Sequence, residues 1–168
     1  MEPAKAQAGH RETGAAPLQQ LATFYLGDAF YGIDVMKVQE ITQPMKMTRV
    51  PLAPPFVKGL INLRGQIATA VCLRALFGLG GESPPERMNM ICRVNNLLLS
   101  FLVDRIGDVV EVSGDLFEPP PDNTRPGPKA YMAGVYKTPD RLLSAIDVEK
   151  IAKFLQDIGS QNPETRGN

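Results

Sequence analysis

The residue types that carry enzymatic and metal chemistry are sparse in this chain of 168 residues. The single histidine, His10, lies in a polar N-terminal segment where nothing would hold an imidazole against a nucleophile. The two cysteines, Cys72 and Cys92, are spaced too far apart for a redox C-x-x-C pair and match no zinc-ligand spacing. Each lies in an apolar run, which favours buried, reduced thiols. We therefore predict no catalytic residue, no metal site and no enzymatic activity.

The glycine-rich segment 78–81 (GLGG) superficially resembles a phosphate-binding loop. The third glycine of the dinucleotide pattern is replaced by Ser83, and Pro84 and Pro85 block the helix whose N-terminus would bind a pyrophosphate. A flexible loop is the better interpretation, and no cofactor is predicted.

The charge balance argues against a nucleic-acid or lipid partner. Eighteen lysines and arginines offset eighteen aspartates and glutamates, so no overall field attracts phosphate backbones or anionic membranes. There is no tryptophan, and most of the seven Phe and four Tyr lie inside apolar runs rather than along a positive groove. We expect no nucleic-acid partner, although the many short strands keep a nucleic-acid-binding β-barrel module as the alternative function.

The longest apolar stretch, 97–103, is far shorter than the ~20 residues of a membrane-spanning helix. The first residues also lack the apolar core of a secretion signal. We expect a cytoplasmic protein without direct membrane insertion.

Short apolar runs separated by turn residues predict a mainly β protein. A C-terminal helix should begin at the N-cap Asp147 and end at Gly159, while 1–20 and 159–168 are predicted to be disordered tails. The runs predicted to be strands are 21–26, 30–35, 57–63, 67–73, 88–94, 97–103, 109–112, 131–136 and 142–146.

Two of these runs carry polar residues that predict their surroundings. The run 97–103 is apolar on both faces, so Ser100 requires a backbone acceptor or a water. The run 88–94 alternates, which predicts that Asn89 and Arg93 lie on a solvated face.

A series of motifs in a fixed order closely resembles the CheW family of chemotaxis coupling proteins. The motifs are LGDAFYGIDVMKVQEI at 26–41, TRVP at 48–51, PPFVKGLINLRGQI at 54–67, and LVD at 102–104 followed by VV at 109–110. Segment 141–151 is similar to the family's closing strand and helix, so the resemblance covers about 21–158. Each motif is weak alone, and their order and spacing together are specific.

The resemblance implies a fold of two intertwined SH3-like five-stranded β-barrels with a C-terminal helix. The approximate subdomains would be 21–64 plus 134–158, and 65–133. It also implies an adaptor that couples the cytoplasmic hairpin tip of methyl-accepting chemoreceptors to the regulatory domain of a chemotaxis histidine kinase in signalling arrays. Such a role agrees with the absence of catalytic motifs.

The family's receptor-binding positions match six residues of this chain: Val38, Glu40, Lys58, Gly59, Asn62 and Arg64. An arginine at a hairpin tip can bind a carboxylate through two parallel hydrogen bonds, and a glycine permits close approach of a backbone. The competing interpretations are that Val38 is a core residue, that Glu40 is solvated, and that Arg64 is an ordinary turn residue.

Three positions depart from the family pattern: Thr69, Cys72 and Ser100. Cys72 replaces an aspartate that would hold loop donors, which puts the order of the neighbouring loop and its contact with a kinase in doubt. The chemosensory pathway, whether flagellar, pilus, surface-motility or biofilm, stays open.

Overall fold

The computed structural model of the protein describes residues 17–81, 83–84 and 87–161. The strands are β1 (Leu18–Leu26), β2 (Ala29–Asp34), β3 (Val38–Thr42), β4 (Val57–Leu63), β5 (Gln66–Cys72), β6 (Met88–Val94), β7 (Leu97–Val103), β8 (Arg105–Ser113), β9 (Phe117–Glu118), β10 (Met132–Lys137) and β11 (Leu142–Ile146). The α-helices are α1 (Leu73–Leu76), α2 (Pro126–Lys129) and α3 (Val148–Gln161), and 3₁₀ turns occupy Val35–Lys37 and Gly114–Leu116.

The first strand begins earlier than predicted. Leu18 and Gln20 pair with Ser113 and Glu111 of β8, and the Tyr136 hydroxyl donates to Gln19 Oε1 at 3.1 Å. These contacts order the last residues of the predicted tail 1–20. The remaining tail positions 1–16 and 162–168 lie outside the described residues.

The strands form two sheets. The six-stranded sheet has the order β8-β1-β2-β11-β10-β9, and the five-stranded sheet has the order β3-β6-β7-β5-β4. All strands of the five-stranded sheet lie between residues 38 and 103. This division differs from the predicted subdomains 21–64 plus 134–158 and 65–133, because β3 and β4 pair with β6 and β5.

The apolar core has one shared part and two local parts. The largest cluster contains Phe24 of the six-stranded sheet, Phe101 of the five-stranded sheet and Ile151 of α3, all fully buried. A second cluster around Leu143 belongs to the six-stranded sheet, and a third around Ile61 belongs to the five-stranded sheet. The shared cluster therefore holds the two sheets together by burial of apolar surface.

Helix α3 begins as the sequence predicts and ends later. Asp147 Oδ1 accepts the backbone N–H groups of Glu149 and Lys150 at 3.0 and 3.3 Å, which satisfies donors that have no partner inside the helix. The helix continues through Gly159 to Gln161, so the prediction that Gly159 ends it was wrong.

In the part of the chain that the structure describes, no helix combines the length and apolar character required to cross a bilayer.

An ion pair between Arg74 and Asp104 fastens three segments between the sheets. Its side chains are only 14% and 9% exposed. Asp104 also accepts the backbone N–H of Gly27 at 2.7 Å, in the turn between β1 and β2. Arg74 donates to the carbonyl of Gly80 at 2.8 Å, in the loop after α1. The pair therefore ties the β1–β2 turn to the β7–β8 junction and to the loop after α1.

The buried side chains of Ser100 and Asn89 form a hydrogen bond with each other inside the five-stranded sheet. The Ser100 hydroxyl donates to Asn89 Oδ1 at 2.9 Å, and Asn89 Nδ2 donates to the Gln43 carbonyl at 3.0 Å. Asn89 is 2% exposed, so its predicted place on a solvated face was wrong, whereas Arg93 is exposed as predicted. The acceptor of Ser100 is a side-chain amide rather than the backbone or water that we expected.

Candidate partner-binding surface

The β4–β5 hairpin positions Arg64 and Asn62 at one end of the five-stranded sheet. Its two-residue turn consists of Arg64 and Gly65, with φ of 53° and 89°, the left-handed conformation that this type of hairpin turn requires. Asn62 Oδ1 accepts the Gly65 N–H at 2.8 Å. The Arg64 side chain remains 69% exposed. The turn is thus held by its own backbone and Asn62, and the guanidinium is left accessible.

Glu40 reaches this hairpin from the opposite edge strand. The register of β3 on β6 shifts between Val38 and Glu40, a bulge that re-aims the side chains of the bulged strand. The two carboxylate oxygens of Glu40 accept hydrogen bonds from Nη1 and Nη2 of Arg64, which makes a bidentate ion pair. Because β3 and β4 are the two edges of the five-stranded sheet, this pair joins its edges at the surface.

The ion pair keeps Glu40 charged. The hydrogen bond from Arg64 lowers the pKa of the Glu40 carboxyl, with a further small contribution from Gln39. The same bond raises the pKa of the Arg64 guanidinium. The surface therefore presents a full negative and a full positive charge side by side at neutral pH.

The other predicted receptor-binding residues lie in different surroundings. Val38 is half-buried and packs against the shared core. Gly59 is buried, and a Cβ there would lie 2.7 Å from the carbonyl oxygen of Thr48, so its close backbone contact is with its own chain. Lys58 is exposed but lies four residues from Asn62 along β4, about 13 Å at the usual rise per residue. The structure thus places Glu40, Asn62 and Arg64 at the hairpin end, whereas Val38 packs against the core, Gly59 is buried and Lys58 lies further along β4.

Lys58 lines a separate groove with Cys72, Arg74 and Arg87. The Arg87 guanidinium donates to Cys72 Sγ at 3.4 Å. One side-chain donor therefore contacts the thiol that replaces the aspartate of the family pattern.

Both cysteines are buried, and burial raises the pKa of Cys92 to about 12. Such a thiol carries almost no nucleophilic thiolate at neutral pH. The described residues contain no cluster of three or more His, Cys, Asp or Glu side chains that could hold a metal ion.

Three polar side chains beside the ion pair were not predicted to belong to the surface. Arg93 Nε donates to Gln39 Oε1 at 3.2 Å, and its Nη2 donates to Gln66 Oε1 at 2.6 Å. The alternation of β6 correctly placed Arg93 on the exposed face, but nothing in the sequence indicated the bulge that brings Gln39 to it. We call the set Gln39, Glu40, Arg64, Gln66 and Arg93 the hairpin-end band.

Two β-sheets share one apolar core, and an exposed band of charged and amide side chains lies at one end of the five-stranded sheet. A family model described as the CheW-like domain matches residues 20–156. The chain therefore belongs to the CheW-like family, and it is a chemotaxis adaptor. The predicted resemblance is confirmed.

Relatives agree over most of the chain. The chemotaxis protein CheW of Helicobacter pylori is 31% identical over 150 residues, 89% of this chain and 90% of that protein. The CheW protein of Klebsiella aerogenes is 32% identical over 79% of this chain and 81% of its own length. That of Treponema pallidum is 33% identical over 84% and 87%.

The fold agrees with a solved structure of the same family. The crystal structure of the scaffolding protein TtCheW from Thermoanaerobacter tengcongensis matches with a TM-score of 0.72 and 28% identity, over 77% of this chain and 89% of that chain. The predicted fold of two SH3-like barrels with a C-terminal helix is confirmed, with β9 as a sixth, two-residue strand in one sheet. The alternative of a nucleic-acid-binding module is not supported.

Proposed function

We propose that this chain is a cytoplasmic, non-catalytic adaptor that binds the cytoplasmic hairpin tip of methyl-accepting chemoreceptors and the regulatory domain of a chemotaxis histidine kinase. Membership of the CheW-like family and relatives named chemotaxis and scaffolding proteins support this proposal. The adaptor would act within signalling arrays, where one chain contacts both partners at once.

The observation that carries the receptor part is the ion pair of Glu40 and Arg64 at an exposed hairpin end. Two opposite charges on a rigid turn can exchange with charged or amide side chains of a helical hairpin without any movement of the sheet. Asn62 contributes by holding the turn. Among the six residues predicted to bind receptors, we propose these three as the central contact, with Lys58 at the margin. Val38 and Gly59 would act indirectly, by shaping β3 and β4.

A separate surface is available for the kinase. The six-stranded sheet keeps apolar side chains exposed on its edge strands β8 and β9, including Val109 (55%) and Phe117 (40%). An unpaired strand edge with apolar side chains can pair with the edge of another β-domain. Since the hairpin-end band belongs to the other sheet, both partners could bind at the same time.

We predict that calorimetric titration of the chain into the kinase regulatory domain gives saturable binding. Val109→Lys should weaken this binding by about ten-fold or more, because a charge would replace apolar surface at the contact. Ile67→Lys is the matched control, since Ile67 is 56% exposed on the other sheet. An absence of heat at tens of micromolar protein would argue strongly against the kinase part of the proposal.

A further inference from the structure

Arg93 is the one member of the hairpin-end band whose charge is not balanced within that band. Its guanidinium is anchored by two neutral amide oxygens, those of Gln39 and Gln66. The neighbouring Arg64 is neutralised by Glu40. Among the described residues, no carboxylate forms an ion pair with Arg93. The band therefore carries an excess positive charge at Arg93.

These two hydrogen bonds leave three N–H donors of the Arg93 guanidinium available to a partner. An arginine side chain carries five N–H donors in a planar fork, and Gln39 and Gln66 take one from Nε and one from Nη2. The two N–H donors of Nη1 and the second of Nη2 remain for an incoming group. The two amides also fix the side chain before binding, which lowers the entropy that a partner must offset.

We propose that Arg93 binds a carboxylate on the helical tip of the chemoreceptor, through hydrogen bonds from Nη1 and Nη2. This inference rests on the proposed function, and it adds a residue and a ligand chemistry to the receptor-binding surface. A carboxylate matches the planar fork and the uncompensated charge better than a neutral side chain does. The receptor is the partner because Gln39 and Gln66 connect Arg93 to the strand ends that carry Glu40 and Arg64.

The experiment measures binding of a purified cytoplasmic fragment of a chemoreceptor encoded in the same genome. Arg93→Gln should raise the dissociation constant by about ten-fold, because a charge-assisted hydrogen-bonded pair is lost. Arg93→Lys should give an intermediate loss, since it keeps the charge but not the fork. Arg105→Gln is the control for charge, because Arg105 is an exposed arginine on the six-stranded sheet.

The outcomes separate this inference from the proposed function. If the wild-type chain binds the fragment and Arg93→Gln behaves like Arg105→Gln within about two-fold, the inference fails and the proposed function stands. If the wild-type chain does not bind the fragment, both fail. If Arg93→Gln weakens binding to the kinase regulatory domain instead, the assignment to the receptor is overturned. Unchanged circular dichroism and melting temperature are expected, because Arg93 is exposed.

Discussion

Replacing Arg74 by alanine is expected to lower the free energy of unfolding by about 3 kcal/mol, the cost of leaving a largely buried charge without its partner. Asp104 would then retain only the Gly27 N–H among its contacts described above. The loop after α1 would lose the hydrogen bond to the Gly80 carbonyl. The effect is large because one side chain connects both sheets through a single carboxylate.

Urea denaturation followed by circular dichroism measures this effect. Lys153→Ala is the matched control, because Lys153 forms an exposed pair with Asp157 at 3.4 Å that should contribute less than about 0.5 kcal/mol. The double variant Arg74→Leu with Asp104→Leu should recover part of the loss, since no charge is left buried. Equal stability of Arg74→Ala and Lys153→Ala would show that the pair does not fasten the sheets.

Replacing Arg64 by glutamate is expected to weaken capture of a chemoreceptor fragment by more than about ten-fold. The substitution reverses the charge that we propose the receptor contacts, and it places a second carboxylate beside Glu40. The melting temperature should change little, because the Arg64 side chain is mostly exposed and the turn is held by Asn62. Binding to the kinase regulatory domain should be retained.

The charge-swapped double variant, Glu40→Arg with Arg64→Glu, decides how the pair acts. It restores an ion pair across the sheet edges but inverts the charges that a partner meets. Capture should stay weak if the receptor contacts these charges directly, whereas recovery to the wild-type level would show that the pair only holds the edges together. Arg105→Glu on the other sheet controls for the change in net charge.

Local features of the fold could be predicted because they depend on neighbouring residues. Apolar runs located most of the strands, and Asp147 caps the C-terminal helix as predicted. The order of the motifs identified the family. These signals act within a few residues, which is the range over which periodicity and turn chemistry are readable.

Features that depend on distant pairing could not be predicted. Asn89 is buried because Ser100 and the Gln43 carbonyl satisfy its amide, and neither contact leaves a trace in the alternation of β6. Gly59 lets the Thr48 carbonyl approach β4 closely, a contact that the sequence did not indicate. The bulge in β3 brings Gln39 to Arg93. The receptor contact of Glu40, Asn62 and Arg64 therefore stays a prediction, while the amide side chains of Gln39 and Gln66 beside them became visible only in three dimensions.

Reconstitution of all three components tests the adaptor role most directly. A chemoreceptor fragment is immobilised, and retention of the histidine kinase is measured with and without this chain. We predict that the kinase is retained only when the chain is present, and that Arg64→Glu abolishes its retention. Retention of the kinase to the same extent without the chain, or no retention with it, would contradict the proposal that this protein links the two.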